Sequence, residues 1–176
     1  MFKTWKSWGP LAIALSVPFL AAAIGSVATE SSVNTWYRRL KKPSWNPPRW
    51  IFAPVWSTLY VLMGLASWLV WRKHDASSFA WFKWFHQKNE QEVTGALRLY
   101  GVQLVLNALW SILFFGFRRL DWALAEVVVL WTMILTTLAR FYRIDARAGW
   151  LLVPYQAWVT FATFLNFTVW RMNRKG

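Results

Sequence analysis

No cysteine occurs anywhere in the 176 residues, which excludes disulfides, thiolate nucleophiles and Cys-ligated metals and leaves the redox compartment open. Acidic residues are scarce too, seven Asp and Glu against twenty Lys and Arg, and they are scattered among the connections, so no acid–base pair is set up. The only histidines, His74 and His86, lie in one polar stretch without a zinc-ligand spacing. No glycine-rich loop is present to cradle phosphate. Charged residues of either sign make up 15% of the chain, well below the usual quarter. The machinery of soluble enzymes is therefore missing at the level of residue types, and neither a metal nor a cofactor is indicated.

What the chain does contain is apolar and aromatic: 57% of it is hydrophobic, with 16 Trp and 13 Phe. This is the composition of an integral membrane protein, and the aromatics exceed what a belt at the two interfaces requires. The net charge of +13 sits between apolar segments instead of forming one face, which suits anionic lipid head groups and not nucleic acid. Lys3 and Lys6 ahead of an apolar run resemble a signal peptide. That run is long enough to span, so a retained first helix is expected.

The length gives one domain, residues 1–176, and hydropathy predicts an all-α bundle of five transmembrane helices. The spans are expected at about 9–28, 50–71, 97–117, 122–141 and 148–170. Pro18 should kink the first, and Pro54 should fall harmlessly in the first turn of the second. Residues 73–96 form a polar loop in which Phe79, Trp81, Phe82, Trp84 and Phe85 suit a short helix lying in the interface. Lys and Arg divide ten against ten between the two sides, so the positive-inside rule assigns no orientation.

The segment between the first two spans, residues 29–49, stands apart. From Trp36 to Trp56 it concentrates tryptophan, proline and basic residues, and Pro43, Pro47 and Pro48 forbid regular helix and stiffen an extended loop. Such a loop presents aromatics in a set geometry, as a lid over a ligand site would. Inside the spans, polar groups cost free energy unless paired. Gln103 and Asn107 share one face of the third span, with Trp110 next on the stripe; they serve either inter-helix hydrogen bonding or a pocket lining. Asn166 has the same two readings, with packing favoured. Glu126 reads as a carboxylate near its helix start, close to head-group water, with a proton relay as the alternative. Pro154, Tyr155 and Trp158 shape a cavity or only a kink.

Four stretches in order, WYRRLKKPSWNPPRW, FAPVWSTLYVLMG (Phe52–Gly64), YGVQLVLNALWSILFFG (Tyr100–Gly116) and LLVPYQAWVTFATFLNFTVWRMN (Leu151–Asn173), resemble the motif series of the translocator protein family. It is also known as the tryptophan-rich sensory protein, TspO/MBR or peripheral benzodiazepine receptor family. The resemblance implies a five-helix, commonly homodimeric bundle in a bacterial envelope or mitochondrial outer membrane, with a cavity closed by the first loop. It implies tetrapyrroles such as protoporphyrin IX and haem as ligands, along with isoquinoline carboxamides, benzodiazepines and, in animal mitochondria, cholesterol. By motif position the cavity would be lined by Tyr37, Trp45, Pro47, Trp56, Tyr60, Gln103, Asn107, Trp110, Trp158 and Ala162, beneath a basic mouth of Arg38, Arg39, Lys41 and Lys42. Where sterol-binding members carry Leu, Tyr and Arg, this chain has Leu165, Phe167 and Arg171, and the lost hydroxyl disfavours sterol transport. A receptor or transporter is expected, with two alternatives: light- and oxygen-dependent porphyrin degradation using Trp56 and Trp158, or a non-catalytic stress-signalling protein.

Overall fold

The computed structural model describes residues 5–75 and 83–174, and the regular structure among them is helical throughout. In chain order the helices are α1 (Trp5–Val33), α2 (Trp36–Arg39), α3 (Arg49–Asp75), α4 (Lys83–Ser111), α5 (Leu120–Ile144) and α6 (Ala146–Asn173). A π-helical turn, Ile112–Gly116, continues α4. Four helices are long and apolar enough to cross a membrane, over Trp8–Glu30, Arg49–Lys73, Glu90–Gly116 and Leu120–Ile144. At 1.5 Å per residue each outruns a hydrocarbon core of about 30 Å. α6 is as long, but Gln156, Asn166 and its threonines lower its hydropathy.

The surface agrees with a bilayer as solvent. Val27 is 74% exposed, Val105 68%, Phe164 65% and Trp150 64%, each on a different long helix or face. Such a coat would be a liability in water and is the expected exterior in lipid. The interior is packed from Met63, Ala66, Val70, Val93, Leu104, Ile134, Phe141, Leu152 and Tyr155. α1 packs on α3 and α4, α3 packs also on α6, and α5 lies between α4 and α6.

Three local expectations change. Residues 83–96, expected to belong to the polar loop, are the first turns of α4; proline is absent there and Glu, Gln, Lys and Ala favour helix. The interfacial helix expected around Phe79, Trp81 and Phe82 lies outside the described residues. Within the segment 29–49, α1 runs on to Val33 and a single helical turn, α2, precedes the extended prolines; the stiffening by Pro43, Pro47 and Pro48 acts only after Leu40. Pro54 sits in the second turn of α3, because that helix starts at Arg49 with the Ile51 amide donating to Pro48 O at 3.1 Å.

Candidate functional site

The lid-side ends of α1, α3, α4 and α6 enclose a cavity of about 690 Å³, within the range of small-molecule sites. Its walls are mostly aromatic and small side chains. α3 contributes Phe52, Trp56 and Tyr60, and Trp56 stacks on Tyr60 at 5.3 Å between centroids. Trp158 of α6 meets Phe52 edge-on at 5.9 Å and Phe161 at 5.4 Å. Trp110 stacks on Phe114 at 5.0 Å, and the π-helical turn places both Phe114 and Phe115 on the lining. Such turns often occur at functional sites because the extra residue re-aims side chains. α1 supplies Ala21, Ala22 and Gly25; a Cβ on Gly25 would meet the Ser111 side chain at 3.1 Å, so α1 can lie close against α4 here.

The floor is a polar chain. Tyr60 donates to Asn107 Oδ1 at 3.3 Å, and Asn107 Nδ2 donates to the Tyr155 hydroxyl at 3.1 Å. Every helix in that chain is thereby tied to the next, α3 to α4 to α6, beneath the open space.

The roof is the segment from α2 to α3. Tyr37 reaches the cavity rim, edge-on to Phe115 at 5.6 Å, and Trp36 packs edge-on to Phe114 at 5.9 Å. The Tyr37 hydroxyl donates to Asn46 Oδ1 at 3.2 Å, and Lys42 Nζ lies 4.6 Å above the Tyr37 ring. Burial pushes the Tyr37 hydroxyl above its ordinary value, with the Arg49 charge pulling only partly back. Burial, then the repulsion of Arg49, lowers Lys42. Arg49 Nη2 donates to Val33 O at 2.8 Å and Asn34 Oδ1 at 3.1 Å, linking the start of α3 to the end of α1. At the opposite rim Asn173 clamps the backbone of Lys41: its Oδ1 accepts from the amide at 3.1 Å and its Nδ2 donates to the carbonyl at 2.9 Å.

Seven of the residues expected at the site, Tyr37, Trp56, Tyr60, Asn107, Trp110, Trp158 and Ala162, share this lining; three do not. Gln103 is 1% exposed and turned into the core, with Nε2 3.9 Å from Met63 Sδ, because one turn below Asn107 α4 closes against α3 and leaves no space. Trp45 is 48% exposed and packs edge-on against Phe161 at 5.8 Å, behind the lining. Pro47 accepts a hydrogen bond from Asn46 Nδ2 and stiffens the roof without facing inward. Of the basic residues, Arg49 lines the mouth, whereas Arg38, Arg39, Lys41 and Lys42 do not.

The α1 wall was missed altogether, although Ala21, Gly25 and Thr29 recur at helical spacing as small residues. Glu126 is also placed differently: it is buried in the second turn of α5, and neither oxygen has a partner among the described residues. Among the described residues no cluster of three His, Asp or Glu could hold a metal, and the side chains of His74 and His86 fall outside that set.

The TspO/MBR family profile matches residues 14–171. The tryptophan-rich sensory protein of Cereibacter sphaeroides is 40% identical over 163 residues, covering 91% of this chain and 92% of that protein. The translocator protein of Homo sapiens is 37% identical over 166 residues, covering 94% and 91%. The tryptophan-rich protein TspO of Chlorobaculum tepidum is 36% identical over 167 residues, covering 93% and 95%. With four helices apolar enough to span, these relatives make the chain a multi-pass membrane protein.

Proposed function

The chain belongs to the TspO/MBR family, and on that premise we propose that it is a membrane receptor or transporter for tetrapyrroles such as protoporphyrin IX and haem. The observation that carries the reading is the roofed cavity whose faces are Trp56, Tyr60, Trp110 and Trp158, with Arg49 at its mouth. A planar macrocycle stacks on indole faces, and its carboxylates pair with a guanidinium. In this reading α6 is the fifth crossing, its polar side chains turned inward, and the protein is a homodimer whose mass in detergent is twice that of the chain.

Titration of tryptophan fluorescence with protoporphyrin IX tests the assignment. Trp56→Phe combined with Trp158→Phe shrinks two indole faces to single rings, at stacking contacts worth about 0.5–1.5 kcal/mol each, so affinity should fall about fivefold. Unchanged affinity would place the ligand elsewhere.

The joint presence of Trp56 and Trp158 on the lining also favours a second reading, light- and oxygen-dependent degradation of the bound porphyrin. Illumination should then yield a new absorbing product that the double variant abolishes. Bleaching no faster than with free tryptophan leaves the receptor reading alone.

A further inference from the structure

The residues around the cavity are unevenly exposed. Tyr60, Asn107, Phe114 and Leu165 line it and are buried, so lining alone does not make a side chain accessible. The well-exposed members of the lining are Phe19, Ser26 and Glu30 of α1, Ala53 and Ser57 of α3, and Asn34 and Arg49 above them. α4 and α6 supply none among the described residues. On α1, Ser26 stands beside Val27 of the lipid-facing coat. On α3, Ala53 and Ser57 lie between the inward row of Phe52, Trp56 and Tyr60 and the outward row of Pro54, Thr58 and Val61. The exposed edge of the cavity therefore follows one seam, between α1 and α3.

That seam is closed at both ends. Below, the two helices touch backbone to backbone, since a Cβ on Gly64 would stand 2.8 Å from Ala14 O and 2.9 Å from Leu15 Cα. Just above this crossing Phe19 meets Tyr60 at 5.7 Å between centroids. At the top, Arg49 Nη2 ties the start of α3 to Val33 O at 2.8 Å. From Tyr60 up to Arg49, about 16 Å of helix, the bordering side chains Ser26, Ala53 and Ser57 are too small to fill the space between the helices. The Ser26 hydroxyl donates to Ala23 O at 2.8 Å, so this rim needs no water. Exposed Trp50, an interfacial anchor at the top, sets the gap in the lid-side half of the hydrocarbon core.

We propose that the seam is a lateral portal, which admits an acyl chain of a bilayer lipid and passes apolar ligand between the lipid phase and the cavity. The roof closes the site toward water, and the seam leaves it open toward lipid. Apolar ligands partition into the bilayer, so an entrance there meets them where they are concentrated. Such a portal presupposes the ligand cavity proposed above but serves any apolar ligand, tetrapyrrole or not.

The test places the full chain in vesicles of phosphatidylcholine that carries a diazirine midway along one acyl chain. After irradiation, the modified residues are mapped by mass spectrometry. Outward residues such as Val27 and Phe164 should be labelled whatever the state of the seam. A portal adds labelling of Trp56 and Ala162, which face the cavity. Ala53→Phe combined with Ser57→Phe fills the gap from α3 and should abolish the inner labelling while the outer persists. Ser26→Phe narrows it from α1 and decides the matter if the pair does not fold. Labelling confined to outward residues overturns the proposal, as when a second copy of the chain covers the seam, and so does inner labelling that survives both fillings. Protoporphyrin IX dissolved in unlabelled vesicles should enter the filled variants at least about tenfold more slowly, and an unchanged rate also counts against the portal. If the unmutated protein takes up no protoporphyrin IX, the tetrapyrrole reading fails by itself, and the lipid labelling still decides the portal.

Discussion

Gln103 and Asn107 are chemically alike and one helical turn apart, yet one faces Met63 in the core and the other joins Tyr60 to Tyr155 under the cavity. Spacing along α4 places both on one stripe, but the depth at which α3 closes on α4 separates their roles. Asp145 shows the same scale of control at the other end of the bundle. As the single residue between α5 and α6, it donates its amide to Phe141 O at 2.8 Å and caps α6 by accepting from the Arg147 amide at 3.0 Å. Lys73 lies 3.6 Å away and the Arg147 guanidinium 3.3 Å. Burial raises the Asp145 carboxyl, but the Arg147 hydrogen bonds and the two cations outweigh it and hold the group below the usual range. Both cations are well exposed, so the pairs contribute little and the cap is the larger part. Asp145→Ala should therefore cost about 1–2 kcal/mol at pH 7, and Asp145→Asn, which keeps the cap, clearly less. A depressed carboxyl stabilises above its unfolded value of about 3.9 and loses that contribution as pH falls through the lower folded value. The melting gap between the unmutated protein and Asp145→Asn should accordingly be flat from pH 5 to 8 and close below about pH 4.

Among the elements, the α5–α6 hairpin depends on close approach. A Cβ on Gly149 would stand 2.6 Å from Tyr142 Cβ and 2.8 Å from its Cα, a backbone atom that cannot rotate away. Gly149→Ala is expected to push the helices apart and cost about 1–3 kcal/mol. Gly101→Ala, where a new Cβ meets nothing within 4 Å, should instead gain up to about 1 kcal/mol of helix propensity. Thermal melts of the two variants give shifts of opposite sign; a fall for both would mean that any added methyl in the bundle is harmful. The π-helical turn after α4 is a different kind of element. Its bond from the Phe117 amide to Ile112 O, at 2.8 Å, inserts one residue and sets Phe114 and Phe115 side by side under Tyr37. Nothing in the ILFFG stretch announces that geometry, since apolar residues alone continue an α-helix equally well.

At the scale of the molecule, roof and bundle are joined by few polar bonds, and those set how the cavity exchanges its contents. Asn173 on α6 holds Lys41 by two hydrogen bonds, while Arg49 ties the other end of the roof to α1. Asn173→Leu removes the first tie without touching the lining. Release of protoporphyrin IX should quicken about tenfold, the equivalent of roughly 1.4 kcal/mol from two net hydrogen bonds. Hydrogen exchange over residues 36–48 should rise in that variant and fall in the unmutated protein on ligand addition. An unchanged release rate would show that the roof is held by its aromatic contacts alone.

Composition and periodicity by themselves determined that the chain is helical and membrane-embedded and that a proline-stiffened aromatic segment follows the first helix, and the order of its motif stretches resembles that of the TspO/MBR family. Those properties are local, because hydropathy, proline geometry and residue spacing act over a few turns. Tertiary structure alone decided which polar groups face open space. It turned Gln103 into the core and left Asn107 on the lining, put Arg49 at the mouth in place of the other basic residues, and made the small residues of α1 a wall. The physical reason is that a helical stripe defines a direction but not the neighbour or the depth it meets, and those follow only from how closely the other helices pack against it.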